Sequence, residues 1–307
     1  MTLQEKIQVY LFDYSEWFIF AKRLLILIIM IIGSLLLWLF PVSLLVAPFY
    51  SATLDTTPPI TKHKDLVGKT TLKSVQQNIQ TLLDEGLVTN FTGVNLYIDN
   101  KFFEQVGQIE MIRIAINTLE NNLARNRGTG GANKHLVQAR SDVYADYKLP
   151  VFTSYTTRLK QTSKNIDKYL VSLADDDTKP MNEKEAVFIV NSDNLAEVLD
   201  KLKQQLQTNA IAPSSFFTHD DKFYHLKGNL IAMHYFLSGI DFDFKTKLED
   251  KTSYQENFIP LLSSIKEAIA QNHWFILESL GHVSKLEKEA NIIAQKLGEL
   301  RDKLKNG

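Results

Sequence analysis

The sequence predicts a mostly α-helical protein: one N-terminal transmembrane helix followed by a multi-helix bundle, with room for one short β-hairpin. Three observations carry this. Residues 24–50, LLILIIMIIGSLLLWLFPVSLLVAPFY, hold no charged side chain. Beyond residue 70, apolar residues recur three and four apart in run after run, the period of a helix face. Strand-like sequence is confined to short pieces around 87–98 and 185–192.

An apolar helix rises about 1.5 Å per residue, so a span over residues 24–47 covers a hydrocarbon core about 30 Å thick. A signal peptide has a far shorter apolar region, and a globular core helix shows polar residues at helical intervals. Here only Gly33, Ser34 and Ser43 interrupt the run up to Tyr50, so an uncleaved anchor fits best. Pro41 removes a backbone donor and kinks the span, which membrane helices tolerate. Lys22 and Arg23 touch its amino end, whereas the nearest basic residues beyond it are Lys62 and Lys64. Basic residues stay on the cytoplasmic side, so the N-terminus is expected in the cytoplasm and the bulk of the chain in the periplasm of a bacterial inner membrane. Trp17, among the aromatic residues of the first 23, and Trp38 within the run add rings of the kind that sit at a membrane surface. The segment before the span reads as an interfacial helix, with contact to a cytoplasmic partner as the alternative. The expected organisation is 1–23 cytoplasmic or interfacial, 24–47 transmembrane, 48–70 linker and 71–307 an extracytoplasmic helical domain.

Cysteine is absent, which excludes thiol nucleophiles, disulfides and acylated anchors. With 34 basic and 35 acidic residues there is no electrostatic case for nucleic acid. The expected partners are the lipid bilayer and other envelope proteins, or a second copy of the chain; no cofactor motif is present.

Along the soluble part, Pro58 and Pro59 mark the linker. Leu72, Val75, Ile79 and Leu82 define a helix that Gly86 stops. LVTNFTGVNLYIDN reads as an irregular loop or a hairpin near 87–98. Phe102, Val106, Ile109, Ile112, Ile116, Leu119 and Leu123 mark a long helix. RNRGTGGAN, 125–133, sets glycines beside Arg125, Arg127 and Lys134 but lacks the strand and the lysine spacing of a P-loop, so a mobile surface loop is expected. Tyr155, Leu159, Ile166, Tyr169, Leu170 and Leu173 give another helix. EAVFIVNS, 185–192, is a strand or a helix end. Ser192 and Asp193 are capping residues for a helix through Leu195, Val198, Leu199, Leu202 and Leu206. Phe223 to Ile240 and Phe258 to Ile269 follow. Last, Val283, Leu286, Ala290, Ile293, Leu297, Leu300 and Leu304 form a three-heptad seam over 283–304. Three heptads are short for an autonomous coil, which favours packing inside the chain's own bundle; Val283, Leu286, Ile293, Leu297, Leu300 and Leu304 are the candidates for contact with another chain.

His219, Asp220, Asp221, His225 and His234 form the one cluster with ligand-type residues. Asp221 and His225 stand four apart, as helical metal ligands do, which makes Asp220, Asp221 and His225 candidate metal or ligand residues. A helix start capped by Asp220 or Asp221 explains the same residues without a metal. In DFDF, 241–244, the carboxylates are expected to face solvent while Phe242 and Phe244 pack, as in a half-buried strand or a helix exit. Asn90-Phe91-Thr92 matches a glycosylation acceptor, relevant only in a eukaryotic secretory setting.

LLDEGLVTN (82–90), the Asp99-Asn100 pair, the long helix leading to LARNR, and DDKFYHLKG (220–228) followed by AMHYFLSGIDFDF together resemble an uncharacterised proteobacterial inner-membrane family, the domain of unknown function 2333. Its pattern has an N-terminal anchor, a Leu-Leu-x-x-x-Gly-Gly-Tyr-Leu-Ser-Asn-like segment and an Asp-Asn-x-Phe-Tyr-Glu-x-x-Gly-like segment near a C-terminal helix. Leu82, Leu83, Gly86, Asn90, Asp220, Phe223, Tyr224 and Gly228 stand where that pattern places them. GTGGAN replaces a serine- and glutamine-rich run, and His219 and His225 stand where other residue types are expected, which counts against a metal. The resemblance implies location and architecture and supplies no catalytic residue. The functional expectation is a bitopic scaffold or accessory subunit of an envelope complex for secretion or transport. The rival is a membrane-tethered enzyme or ligand-binding domain using Asp220, Asp221 and His225.

Overall fold

The computed structural model describes residues 17, 21–34, 62, 66–88, 96–126, 130–146, 152–173, 186–211, 219–248, 252–271 and 281–306. The chain divides into two compact units, Met1–Ala52 and Thr53–Gly307. In the first, residues 21–34 form a helix, α1. Its nine consecutive large apolar side chains, Leu24 to Ile32, are all 44–59% exposed, so apolar surface lies on every side of the helix over this stretch. Trp17, Lys22 and Arg23 are exposed as well. Trp38, Pro41 and the rest of the expected span lie outside the described residues. Among the described residues no helix is long and apolar enough to cross a membrane.

The second unit is a helical bundle. Its helices are α2 (Lys69–Glu85), α3 (Leu96–Thr118), α4 (Lys134–Val143), α5 (Phe152–Leu173), α6 (Ser192–Ile211), α7 (His219–Leu248), α8 (Thr252–Ile269) and α9 (His282–Asn306). The apolar positions that set the helical period form the core: Leu72, Ile79, Leu159, Leu199, Leu230, Phe258 and Leu297 are among those with no exposed surface.

The longest helix, α7, is the spine: 30 residues, or about 45 Å. α2 runs antiparallel along its C-terminal half, where Thr71 meets Asp243 and Thr81 meets Tyr235. α3 runs antiparallel along its N-terminal half, where Glu110 meets His225. Gln105 fastens the two shorter helices end to end by donating to Gly86 O and accepting from Val88 N, each at 2.9 Å. Surrounded in this way, α7 is buried at every position from Leu226 to Met233.

The heptad seam of α9 closes on α6 and α8 of the same chain. Val283, Leu286, Ile293, Leu297, Leu300 and Leu304 are each at most 1% exposed, so in this fold they are occupied internally. Arg301 bonds Asp200 across α9–α6, and Lys296 bonds Ser264 across α9–α8.

Some local structure departs from expectation. The sheet is a short antiparallel pair, β1 (Ala124–Asn126) with β2 (Ala186–Phe188), and no strand lies among the described residues of 87–98. α3 already begins at Leu96; residues 89–95, including the Asn90 sequon, lie outside the described residues. The pairing is non-local, so alternation in one segment could not reveal its partner. α3 enters β1 through a wider turn, Leu119–Leu123, with the Thr118 hydroxyl bonded to Ile114 O and Ala115 O. The described part of the glycine segment is hydrogen bonded: Asn126 N to Gly131 O, Gly130 N to Asn126 O, and Asn133 Nδ2 to Asn126 Oδ1. Asn133 then caps α4 through His135 N. α6 is capped one residue earlier than expected, by Asn191 Oδ1 accepting from Asn194 N at 2.8 Å.

Truncating the seam at Leu297→Ala opens a cavity between α9, α6 and α8 and is expected to cost about 2–5 kcal/mol. Ile292→Ala, at a position 42% exposed on the same helix, is expected to cost under about 1 kcal/mol. Denaturant unfolding of both variants checks the contrast.

Candidate functional site

α7 scatters the five-residue cluster that the sequence singles out. Asp220 and Asp221 lie in its first turn, where negative charge favours the unpaired backbone N–H groups. His225 faces α3, with Nε2 3.0 Å from Glu110 Oε2. Burial pushes the Glu110 carboxyl up, but the His225 hydrogen bond and charge, with Asn209, outweigh it and hold the group below its ordinary value. His234 stands nine residues on, about 13 Å along the axis. Burial, and secondarily Lys266, push it down and keep it neutral. Among the described residues no group of three or more His, Asp or Glu side chains is arranged to hold a metal.

The structure brings together a different set, at the crossing of α3 and α7. Gly107 of α3 lies against the His225 carbonyl, and Gly228 of α7 lies against the Glu104 carbonyl. A Cβ at either position would overlap backbone, so the two helices meet main chain to main chain. Around this contact Glu104, Gln105, Gln108, Lys227 and Asn229 are all buried. Asn229 Nδ2 donates to His225 O at 2.9 Å, and Gln108 Nε2 reaches Glu104 Oε1 at 3.4 Å. Glu104 Oε2 is buried with no hydrogen-bond partner among the described residues. Burial pushes the Glu104 carboxyl up to about 8; Lys227 and Lys101 oppose the shift and Glu85 adds to it. Chemically, burial favours the protonated form of this carboxyl at the helix crossing, a group able to bind and release one proton.

A family model described as an uncharacterized protein conserved in bacteria (DUF2333) matches residues 14–215. The chain belongs to that family. The matched stretch runs from the aromatic segment through α6 and includes Glu104 and Gly107, whereas α7, α8 and α9, with Lys227 and Gly228, lie beyond it. No curated protein and no solved structure matches the chain.

A second buried acid holds the other end of the spine. DFDF lies inside α7 rather than in a strand or at an exit, and Asp243 is buried instead of facing solvent. Its Oδ2 accepts from Thr71 N and from the Thr71 hydroxyl, both at 2.7 Å. The backbone N–H groups of Gly68 and Thr70 also bond its carboxylate. α2 begins after Gly68 at φ 87° with no side-chain cap of its own, so Asp243 supplies the cap from α7. Burial pushes both Asp243 and Asp241 up. Lys62 Nζ lies 5.8 Å from the Phe242 ring centroid on the same half of the spine.

Sequence reasoning passes over Glu104, Lys227 and Asp243 because charged residues ordinarily read as solvated. The signal that finds the first two is a glycine inside each long helix, Gly107 and Gly228.

Gly228→Ala is expected to cost more than about 3 kcal/mol, since the overlap is with backbone. Gly298→Ala, whose Cβ meets only the flexible end of Lys203 at 3.2 Å, is expected to lie within about 1 kcal/mol of neutral because helix propensity compensates. Asp243→Ala is expected to lose about 1–3 kcal/mol and Asp243→Asn, which keeps an acceptor, less. Equilibrium unfolding of the full-length variants reads all four.

Proposed function

We propose that the protein is a bitopic inner-membrane scaffold or accessory subunit of a bacterial envelope complex, such as a secretion or transport machine. It acts through protein contacts made by its helical unit. The observation that carries this reading is α1, whose apolar side chains from Leu24 to Ile32 are exposed on every face, in a sequence that stays free of charge to Tyr50. Water does not accept such a helix; a hydrocarbon core does. Lys22 and Arg23 at its amino end favour a cytoplasmic N-terminus and a periplasmic bundle.

The bundle spends its ionisable residues on its own assembly, which supports a structural role. His225 is taken by Glu110, Lys222 by Glu287 at 2.5 Å, and Asp142 by Arg158 and Asn165 at 3.1 and 3.0 Å. Asp220 and Asp221 sit at a helix start. The seam of α9 is occupied by α6 and α8, so partners meet outward-facing positions such as Val171, Ile211 and Ile259.

Two measurements test this. A periplasm-active reporter fused after Gly307 should report export, and photocrosslinkers at positions 171, 211 and 259 in the intact cell should capture the same neighbouring protein repeatedly. A cytoplasmic reporter signal rejects the topology. Crosslinkers that trap nothing, with a purified protein that stays monomeric, reject the scaffold.

A further inference from the structure

Four acceptor oxygens at the α3–α7 crossing are buried with no hydrogen-bond partner among the described residues: Asn100 Oδ1, Glu104 Oε2, Gln108 Oε1 and Asn229 Oδ1. Asn100, Glu104 and Gln108 stand four apart and so share one face of α3. An ionised Glu104 adds a full charge to a row already short of donors. A protonated Glu104 adds the missing donor instead, and the Gln108 amide, with its oxygen turned toward the acid, can accept from it. The glycine contact brings the two backbones together next to the residue that carries the acid, with Gly228 against the Glu104 carbonyl.

We propose that Glu104 is a proton-operated latch: protonated, it closes the α3–α7 crossing; ionised, it loosens the crossing and the contact that Lys227 makes with the end of α8. Lys227 is the coupling element. It is buried beside the acid on α7, and its Nζ donates to Gln271 O at 3.2 Å. The Gln271 side chain bonds Glu289 of α9. An ionised Glu104 draws the Lys227 ammonium toward itself or admits water, and either change pulls on Gln271.

The charged groups that bear on Glu104 are Lys227 of α7, Glu85 of α2 and Lys101 on α3 itself. His225, also on α7, is engaged by Glu110. α4 and α6 present Arg140 and Lys201 at the far end of α3, where they meet Glu120 and Asn122. The acid therefore faces a balance of nearby charges that burial overrides. Its native value is raised from 4.5 to about 8, so the folded state binds the proton more tightly than the unfolded chain. Stability from this group is complete below 4.5 and falls as pH rises toward 8.

The test is denaturant unfolding of the full-length protein in detergent at a series of pH values, alongside Glu104→Gln, an uncharged isostere. The folding constant of the variant relative to wild type should rise about tenfold per pH unit between about pH 5 and 8, one proton's worth. A ratio independent of pH overturns the latch. If the variant does not fold, amide hydrogen exchange of the wild type, corrected for intrinsic rates, decides. Segments 100–110, 225–231 and 268–271 should lose protection together above about pH 8. Protection unchanged there through pH 9 overturns the proposal equally.

Discussion

The bundle depends on one constraint: α3 and α7 touch through their backbones at Gly107 and Gly228. Two helices that approach this closely hold their axes fixed, because no side chain lies between them to yield. α7 can then serve as a spine, with α2 and α3 set end to end along it and α9 packed against α6 and α8. Gln105 spans the joint between α2 and α3, and Asp243 caps α2 from the far half of the spine.

Close approach sets the electrostatics. A helix buried along eight consecutive positions, Leu226 to Met233, encloses whatever polar groups it carries, and α7 carries Lys227 and Asn229. Removing a charge from water is expensive unless it is paired or neutralised. Two buried acids along the spine, Asp243 of α7 and Glu104 of α3, meet that demand differently. Asp243 draws donors from the start of α2. Glu104, with one oxygen unpartnered, meets it by keeping its proton.

The helices were legible because their apolar positions keep a period that needs only local sequence. Leu72, Val75, Ile79 and Leu82 show it at one end of the bundle, and the α9 seam shows it at the other. The β1–β2 pairing was not legible, since Ala124 and Phe188 meet only after the two intervening helices, α4 and α5, have been placed. Nor were the buried acids. A sequence pattern assigns Glu104 and Asp243 to solvent by residue type, and only the crossing of helices makes them interior. The partner of His225 was hidden for a related reason: helical spacing put Asp221 and His225 on neighbouring turns of one helix, whereas the histidine meets Glu110 of another. The charge-free run reads as a membrane span from sequence, but among the described residues no helix is long and apolar enough to cross a membrane.

If the glycine crossing organises the bundle, its amides should be the last to open. Native-state hydrogen exchange on the full-length protein tests this most directly. Residues 104–116 of α3 and 225–240 of α7 should exchange only through global unfolding, with α6 and α9 opening at lower free energy. Protection in α6 and α9 that outlasts that of α3 and α7 would contradict the account.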